Sequence, residues 1–547
     1  MFLDYLRSNS AASYRFHGRL LCAIFLAAAF FLIWQGPAPI TGPWDVMALL
    51  DGAWRIVSGQ VPHTDYHNPI GPLTELAIAF GMKIGVRSTL AIVIGSVLLL
   101  AVLLPWFWRI ASRRLPAALA FASVLFAGVL LVSPRPLGYA IRDTTYAMLY
   151  NRQGYVLLSM LLIGVFIPRR APPGDGSAID GFSIGLLSGL LLYCKITYFA
   201  IAAASLLLAP ILIRRSKPWF LAATAGFVAV CAAFFLLFHI NPHSYLADIA
   251  TAGRSQATGM RLGLLRHAAQ NNFLWIYLLF VCTGSCAWAG LRPGKPWLGL
   301  ISPWLKTAWI VAAALGIESG NTAQGAGIED PLFFVAGVIA IESLCRGSSE
   351  PGPRPASRLA LGVGVLLTLP IFGGTIFARD LASLAYAAKW NLIDRPLFPE
   401  DRRIHSAPLR DFLVPASTGH ITSYWPAREY PARMNEGLDL LHKHLEKGDR
   451  IATIGLTNPF SFALGLAPAR DGNQWWDLDI SFNRHNHPTP IDFLGDATLV
   501  MVPRPIPGVR GWGFDTVAIM LDLYGGYLRA NFEPVDSSEA WTLYRRR

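Results

Sequence analysis

Long apolar runs alternate with short polar stretches through the first two thirds of the chain. Runs over Leu20–Trp34, Leu90–Phe107, Ala117–Val132, Tyr155–Ile167, Phe182–Ile213, Phe220–Phe238, Phe273–Leu291, Leu298–Ile317, Pro331–Ile341 and Leu359–Phe377 approach the roughly 20 residues a helix needs to cross hydrocarbon. Leu73–Gly85 predicts a half-inserted or interfacial helix. The run Phe182–Ile213 is broken once, at Lys195, and is flanked by Arg169 and Arg170 before it and Arg214, Arg215 and Lys217 after it. Two short helices meeting near Lys195, at the outer tip of a hairpin, satisfy that pattern, and the count comes to about eleven spans. From Ala378 the pattern turns globular, with helices near Met434–Glu446 and Phe514–Leu528 and strands at Ile451–Gly455, Thr498–Pro503 and Trp541–Arg547. The predicted fold class is mainly α: a polytopic transmembrane helical bundle over residues 1–377 with an extramembrane α/β domain over 378–547.

Charge orients this bundle. Arg7, Arg15 and Arg19 precede the first run and no small-x-small cleavage site follows it, so an uncleaved first helix with a cytoplasmic amino terminus is expected. Loops 37–72, 134–153, 241–271 and 318–330 then face outward, as does the C-terminal domain, which in a bacterial inner membrane means the periplasm. Hydrophobic residues make up 53% of the chain and charged residues only 15%, too apolar for a soluble protein. The net charge of +12 falls mostly in short loops between apolar runs, which positive-inside topology explains without a nucleic-acid partner. The six cysteines lie in or beside apolar runs and the C-terminal domain has none, so that domain cannot rely on disulfides.

The stretch Trp44–Leu73 carries three carboxylates and two histidines between two hydrophobic segments. Asp45, Ala48, Leu49 and Gly52 recur at helical spacing, as do Met47, Leu50, Trp54 and Val57, so Asp45 opens a short interfacial helix that ends at Gly59. Two readings of Asp45 stand: an N-terminal charge favoured by the helix dipole, or a carboxylate serving a working cavity. Asp51 lies about 600° further round the same helix and points elsewhere. Lys195 either snorkels to the interface or reaches an anion. The second outer loop adds Arg142, Asp143, Asn151 and Arg152; the third adds His243, Asp248, Arg254 and Arg261, the last two on one helix face that is either merely solvated or meets an anionic ligand. In the C-terminal domain Gly455 ends a strand with no GxGxxG or Walker sequence behind it, which reads as a turn. Asp477, Asp479, His485 and His487 match no metal-ligand spacing and read as a polar loop; no metal ligand is assigned, and a divalent cation is left open.

An Asp after the first membrane helix, fourteen residues before Gly59, followed by VPHTDYHNPIGPL in place of a G-x-P-Y-x-D-x-x-x-x-P-P phrase, resembles the first periplasmic loop of GT-C superfamily glycosyltransferases. Many members of that superfamily show Asp-Glu where this chain has Asp45-Val46, and His63 stands in place of the usual aromatic. The resemblance implies a polyprenyl-phosphate-linked sugar as donor, a glycan or lipid as acceptor, an inverting transfer, and Asp45 as catalytic base with Asp65 as second acid. Lys195, Arg142, Arg152 and Arg254 are then candidates for the donor phosphate, and His63, His67 and Asn151 for substrate binding. Carboxylate and cations suit the chemistry, since the base deprotonates an acceptor hydroxyl while cations neutralise the departing phosphate. The rival class is a transporter or flippase of a lipid-linked glycan, but no inverted repeat is evident and an outer domain is not needed for transport.

Overall fold

The computed structural model describes residues 10–170, 177–212, 216–256, 260–274, 276–281, 297–320, 329–347, 374–418, 421–422, 425–504, 506 and 514–547. Most of the predicted runs Phe273–Leu291 and Leu359–Phe377, and most of loop 318–330, lie outside the described residues. The rest is mainly α with a small C-terminal sheet, as the pattern predicts. Helices Ala11–Gln35, Leu90–Ser112 and Lys217–Phe238 are long and apolar enough to cross a membrane. Shorter apolar helices, including Ala117–Val132 and Pro331–Ser343, complete the bundle.

Helix Leu149–Phe166 is the axis of the bundle, buried over nearly its whole length. It starts earlier than hydropathy alone indicates, because Met148 takes a left-handed conformation (φ 57°) that turns the second loop directly into it. Asn151 and Arg152 consequently sit in its first turn rather than in the loop. The predicted break falls at Lys195, between helices Ser177–Cys194 and Ile196–Leu212. The former meets Lys217–Phe238 backbone to backbone: a Cβ on Gly185 would lie 1.9 Å from the Ala223 carbonyl oxygen, and one on Gly226 2.2 Å from that of Phe182. Small residues permit that close approach, the usual device for helix association in lipid.

The arginine-rich end of the bundle is tied together by Arg114 and Arg169, both paired with Asp180 at 2.6 and 2.7 Å. The opposite end carries the C-terminal domain. Its sheet runs in the order Ile451–Thr453, Leu499–Pro503, Trp541–Arg546, Phe532–Ser537, the first pair parallel and the others antiparallel. The fourth strand escapes prediction because Pro534 and a mostly exposed face leave it little alternation, both features of an edge. The domain sits on the first-loop helix Pro43–Val57: Trp44 stacks edge-on against Tyr430 at 4.4 Å, Trp54 donates to the Leu466 carbonyl at 2.8 Å, and Gln474 to that of Ala48 at 2.6 Å. One continuous apolar cluster contains Val46 and Leu50 of the helix together with Trp425, Leu438 and Leu499 of the domain.

Candidate active site

Asp45 lies in the first turn of helix Pro43–Val57, half-buried. Gly42 just before it must lack a side chain: a Cβ there would fall 2.8 Å from Asp45 Oδ2 and equally close to Thr145 of the second loop. The second loop is fastened over the first by the Tyr146 hydroxyl, which accepts from the Ala38 N–H at 2.8 Å. Further along, Gly71 lets the end of the first loop rest on the backbone of Tyr193 and Cys194; a Cβ would stand 2.1 Å from the Tyr193 carbonyl oxygen. The first loop therefore reaches from Asp45 to the helix end at Lys195.

Lys195 Nζ donates to Asn151 Oδ1 at 3.1 Å and lies 5.0 Å from the centre of the Tyr150 ring. Tyr150 links that cation to the acid: burial first, then the charges of Asp45 and of Asp477 from the C-terminal domain, raise its hydroxyl well above the usual range. Asp45 similarly acts on Tyr139, second to burial. Asp45, Tyr150, Asn151, Lys195 and Asp477 thus share one locality built from two loops, a helix junction and the C-terminal domain.

The other candidates lie elsewhere. His63 and His67 place Nδ1 at 2.8 and 2.7 Å from the two oxygens of Asp248, whose Oδ2 also accepts from the Asn68 N–H at 3.1 Å. Burial alone would raise the Asp248 carboxyl, but the two histidines outweigh it and hold it below its ordinary value. The Asp248 hydrogen bond in turn raises the His67 ring against the effect of burial. This clasp ties the first loop to helix Pro242–Ser255. Asp65 accepts from the Val61 N–H at 2.8 Å and stands 3.9 Å from Arg470, which accounts for it as a turn and a docking contact. Arg152 is buried: it grips Asp380 with both terminal nitrogens, at 2.8 and 3.0 Å, so its guanidinium is committed to that ion pair. Arg142 is exposed over the Tyr386 ring at 5.9 Å, and Arg254 is exposed at the end of its helix. Asp51, which the helical angle turns away from Asp45, is buried against Arg55 at 2.7 Å.

Tyr150 and Asp477 are the members that sequence reasoning did not gather. Tyr150 is adjacent to Asn151, and an aromatic beside a polar pair at the mouth of a helix was the available signal. Among the described residues no group of three or more His, Cys, Asp or Glu could hold a metal ion. His487 Nδ1 lies beside the Pro488 carbonyl at 2.9 Å, and His485 donates its N–H to Asn483.

No protein-family model and no curated protein matches the chain. Two solved structures align with 96% of it. One is a mutant of arabinofuranosyltransferase AftD from Mycobacteria, with 13% identity, a TM-score of 0.40 and 41% of that chain covered. The other is ArnT from Cupriavidus metallidurans bound to undecaprenyl phosphate, with 11% identity, a TM-score of 0.44 and 97% of that chain covered. Identities and scores this low leave the activity to be argued from this chain's own residues.

Proposed function

We propose that the chain is an integral-membrane glycosyltransferase that moves a sugar from a polyprenyl-phosphate donor to an acceptor glycan or lipid at the loop side of the bundle. The observation that carries the reading is that Lys195 lies 5.0 Å from the centre of the Tyr150 ring while the charge of the half-buried acid Asp45 acts on the same tyrosine. In the transfer, Asp45 takes the proton of an acceptor hydroxyl as its oxygen attacks the anomeric carbon. The bond from that carbon to the phosphate oxygen breaks, and Lys195 neutralises the negative charge that leaves with the lipid phosphate. A single displacement of this kind inverts the anomeric centre.

Topology belongs to the same proposal: the arginine-rich end is cytoplasmic and the C-terminal domain external, in a bacterium periplasmic. A reporter fused after Arg547 is expected to report the external side, and a cytoplasmic signal would remove the outer site. The function is tested in lipid extracts from cells with the protein, without it, and with Asp45→Asn. One glycoconjugate should lose a sugar both in the deletion and in the variant. A variant that restores the wild-type glycoconjugate would sink the assignment of the base.

A further inference from the structure

Asp477 opens a rigid turn of the C-terminal domain. Its N–H donates to Ser481 Oγ at 2.9 Å, Ser481 returns its own N–H to the Asp477 carbonyl at 2.9 Å, and the Ser481 hydroxyl donates to the Trp475 carbonyl at 3.1 Å. Asp479, with φ 61°, closes the turn onto the Phe482 carbonyl. Three residues earlier, Gln474 is bonded to Ala48, one turn along the helix from Asp45, so this turn lies across the first turns of the first-loop helix. The Asp477 side chain is buried, with 4% of the residue exposed. Among the described residues its carboxyl has no hydrogen-bond or ion-pair partner, whereas Asp51 has Arg55, Asp248 has two histidines and Asp380 has Arg135 and Arg152. Burying an unpartnered carboxyl costs stability, and packing alone would be served better by an apolar side chain.

We propose that Asp477, carried by the C-terminal domain, is a second carboxyl of the transfer site that hydrogen-bonds a sugar acceptor and orients the hydroxyl that Asp45 deprotonates. The inference rests on the glycosyltransferase reading and narrows the acceptor to a polyhydroxyl compound, since two carboxyls acting on neighbouring oxygens suit a saccharide and have no use for a lone lipid hydroxyl. Burial, followed by the charges of Asp45 and Asp479, pushes the Asp477 carboxyl up to about 8. At neutral pH it holds its proton and donates it in a hydrogen bond, leaving the negative charge on Asp45. In the step itself the acceptor O–H proton passes to Asp45 and the acceptor oxygen bonds the anomeric carbon. The carbon–phosphate oxygen bond breaks with its electron pair on the phosphate, and Asp477 keeps its proton throughout.

The test uses the full-length protein in membranes from cells lacking their own copy, with the glycoconjugate altered by Asp45→Asn as the readout. Asp477→Ala should lower product about a hundredfold, the scale of losing substrate orientation. Asp477→Asn, whose amide still donates, should lose clearly less than Asp477→Ala at neutral pH. The wild-type rate should fall as pH rises through about 8, and the Asn variant should lose that alkaline fall. Wild-type product from Asp477→Ala, or an unchanged alkaline fall in Asp477→Asn, would overturn the inference; should the Ala variant fail to fold, the pH profile of the Asn variant decides. If Asp45→Asn itself keeps making product, the transfer reading fails; if Asp45→Asn is silent while Asp477→Ala is fully active, only the role of Asp477 fails.

Discussion

Two charge clusters stand near the same end of the bundle and are built on opposite rules. In the first, Arg135, Arg152 and Arg379 surround Asp380 and Glu329, with pairs at 2.8 Å from Arg135 to each acid and from Arg152 to Asp380. Ser133 adds a hydrogen bond to Asp380. Opposite charges meet, donors are used, and the result fixes helix Gly374–Lys389 to the second loop. In the second, Asp45 and Asp477 bring like groups together beside Tyr150, and one of them is pushed up to about 8. Matched charges hold a fold, whereas like charges forced into one locality shift proton affinities, and shifted affinities mark groups available for acid and base work.

Removing a member of each cluster separates them most sharply. Asp380→Ala leaves two buried guanidiniums without their shared carboxylate and should cost about 3–5 kcal/mol, read as lost yield or a lowered unfolding temperature in detergent. Asp45→Asn should leave folding intact and lower sugar transfer about a hundredfold to ten-thousandfold. A normal unfolding temperature for Asp380→Ala would erase the contrast.

Lys195→Met comes next. It should weaken transfer about a hundredfold through lost charge stabilisation at the leaving phosphate while leaving the protein folded. Unchanged donor use and turnover would make Lys195 an interfacial anchor.

The histidine clasp gives a smaller, pH-dependent effect. The His67 pKa is raised on folding, so its contribution is complete below the ordinary value of 6.5 and is lost as pH rises through the folded value. The Asp248 pKa is lowered, so its contribution is present above 3.8 and disappears as pH falls through the folded value. The unfolding temperature should therefore peak between those limits, and His67→Gln should flatten the neutral-side decline. An unaltered profile would show that the clasp carries no linkage.

The smallest effect, at Asp477, shares the sense of the His67 limb and opposes that of Asp248. The Asp477 pKa is raised from 3.8 to about 8, so the stability linked to its neutral form is lost as pH climbs between those values. Asp477→Asn lacks that loss, and its unfolding temperature should exceed that of the wild type more at pH 8 than at pH 5. An equal difference at the two pH values would place Asp477 among ordinary paired carboxylates.

The sequence by itself determined the helical bundle, the break at Lys195, the small C-terminal sheet and the first-loop helix that presents Asp45. Each rests on local periodicity or on a residue whose cost in an apolar run is plain without neighbours. Only the tertiary structure decided which charges are partners. Arg152 and Arg142 look alike in the second loop, yet Met148 turns the chain so that Arg152 enters a helix and meets Asp380, 228 positions away, while Arg142 stays exposed. Asp65 and Asp477 each sit in a polar loop, yet Asp65 lies near Arg470 and Asp477 is buried where the charge of Asp45 reaches it. Pairing and burial depend on contacts hundreds of residues apart, and proton affinity follows from both, so no local pattern carries it.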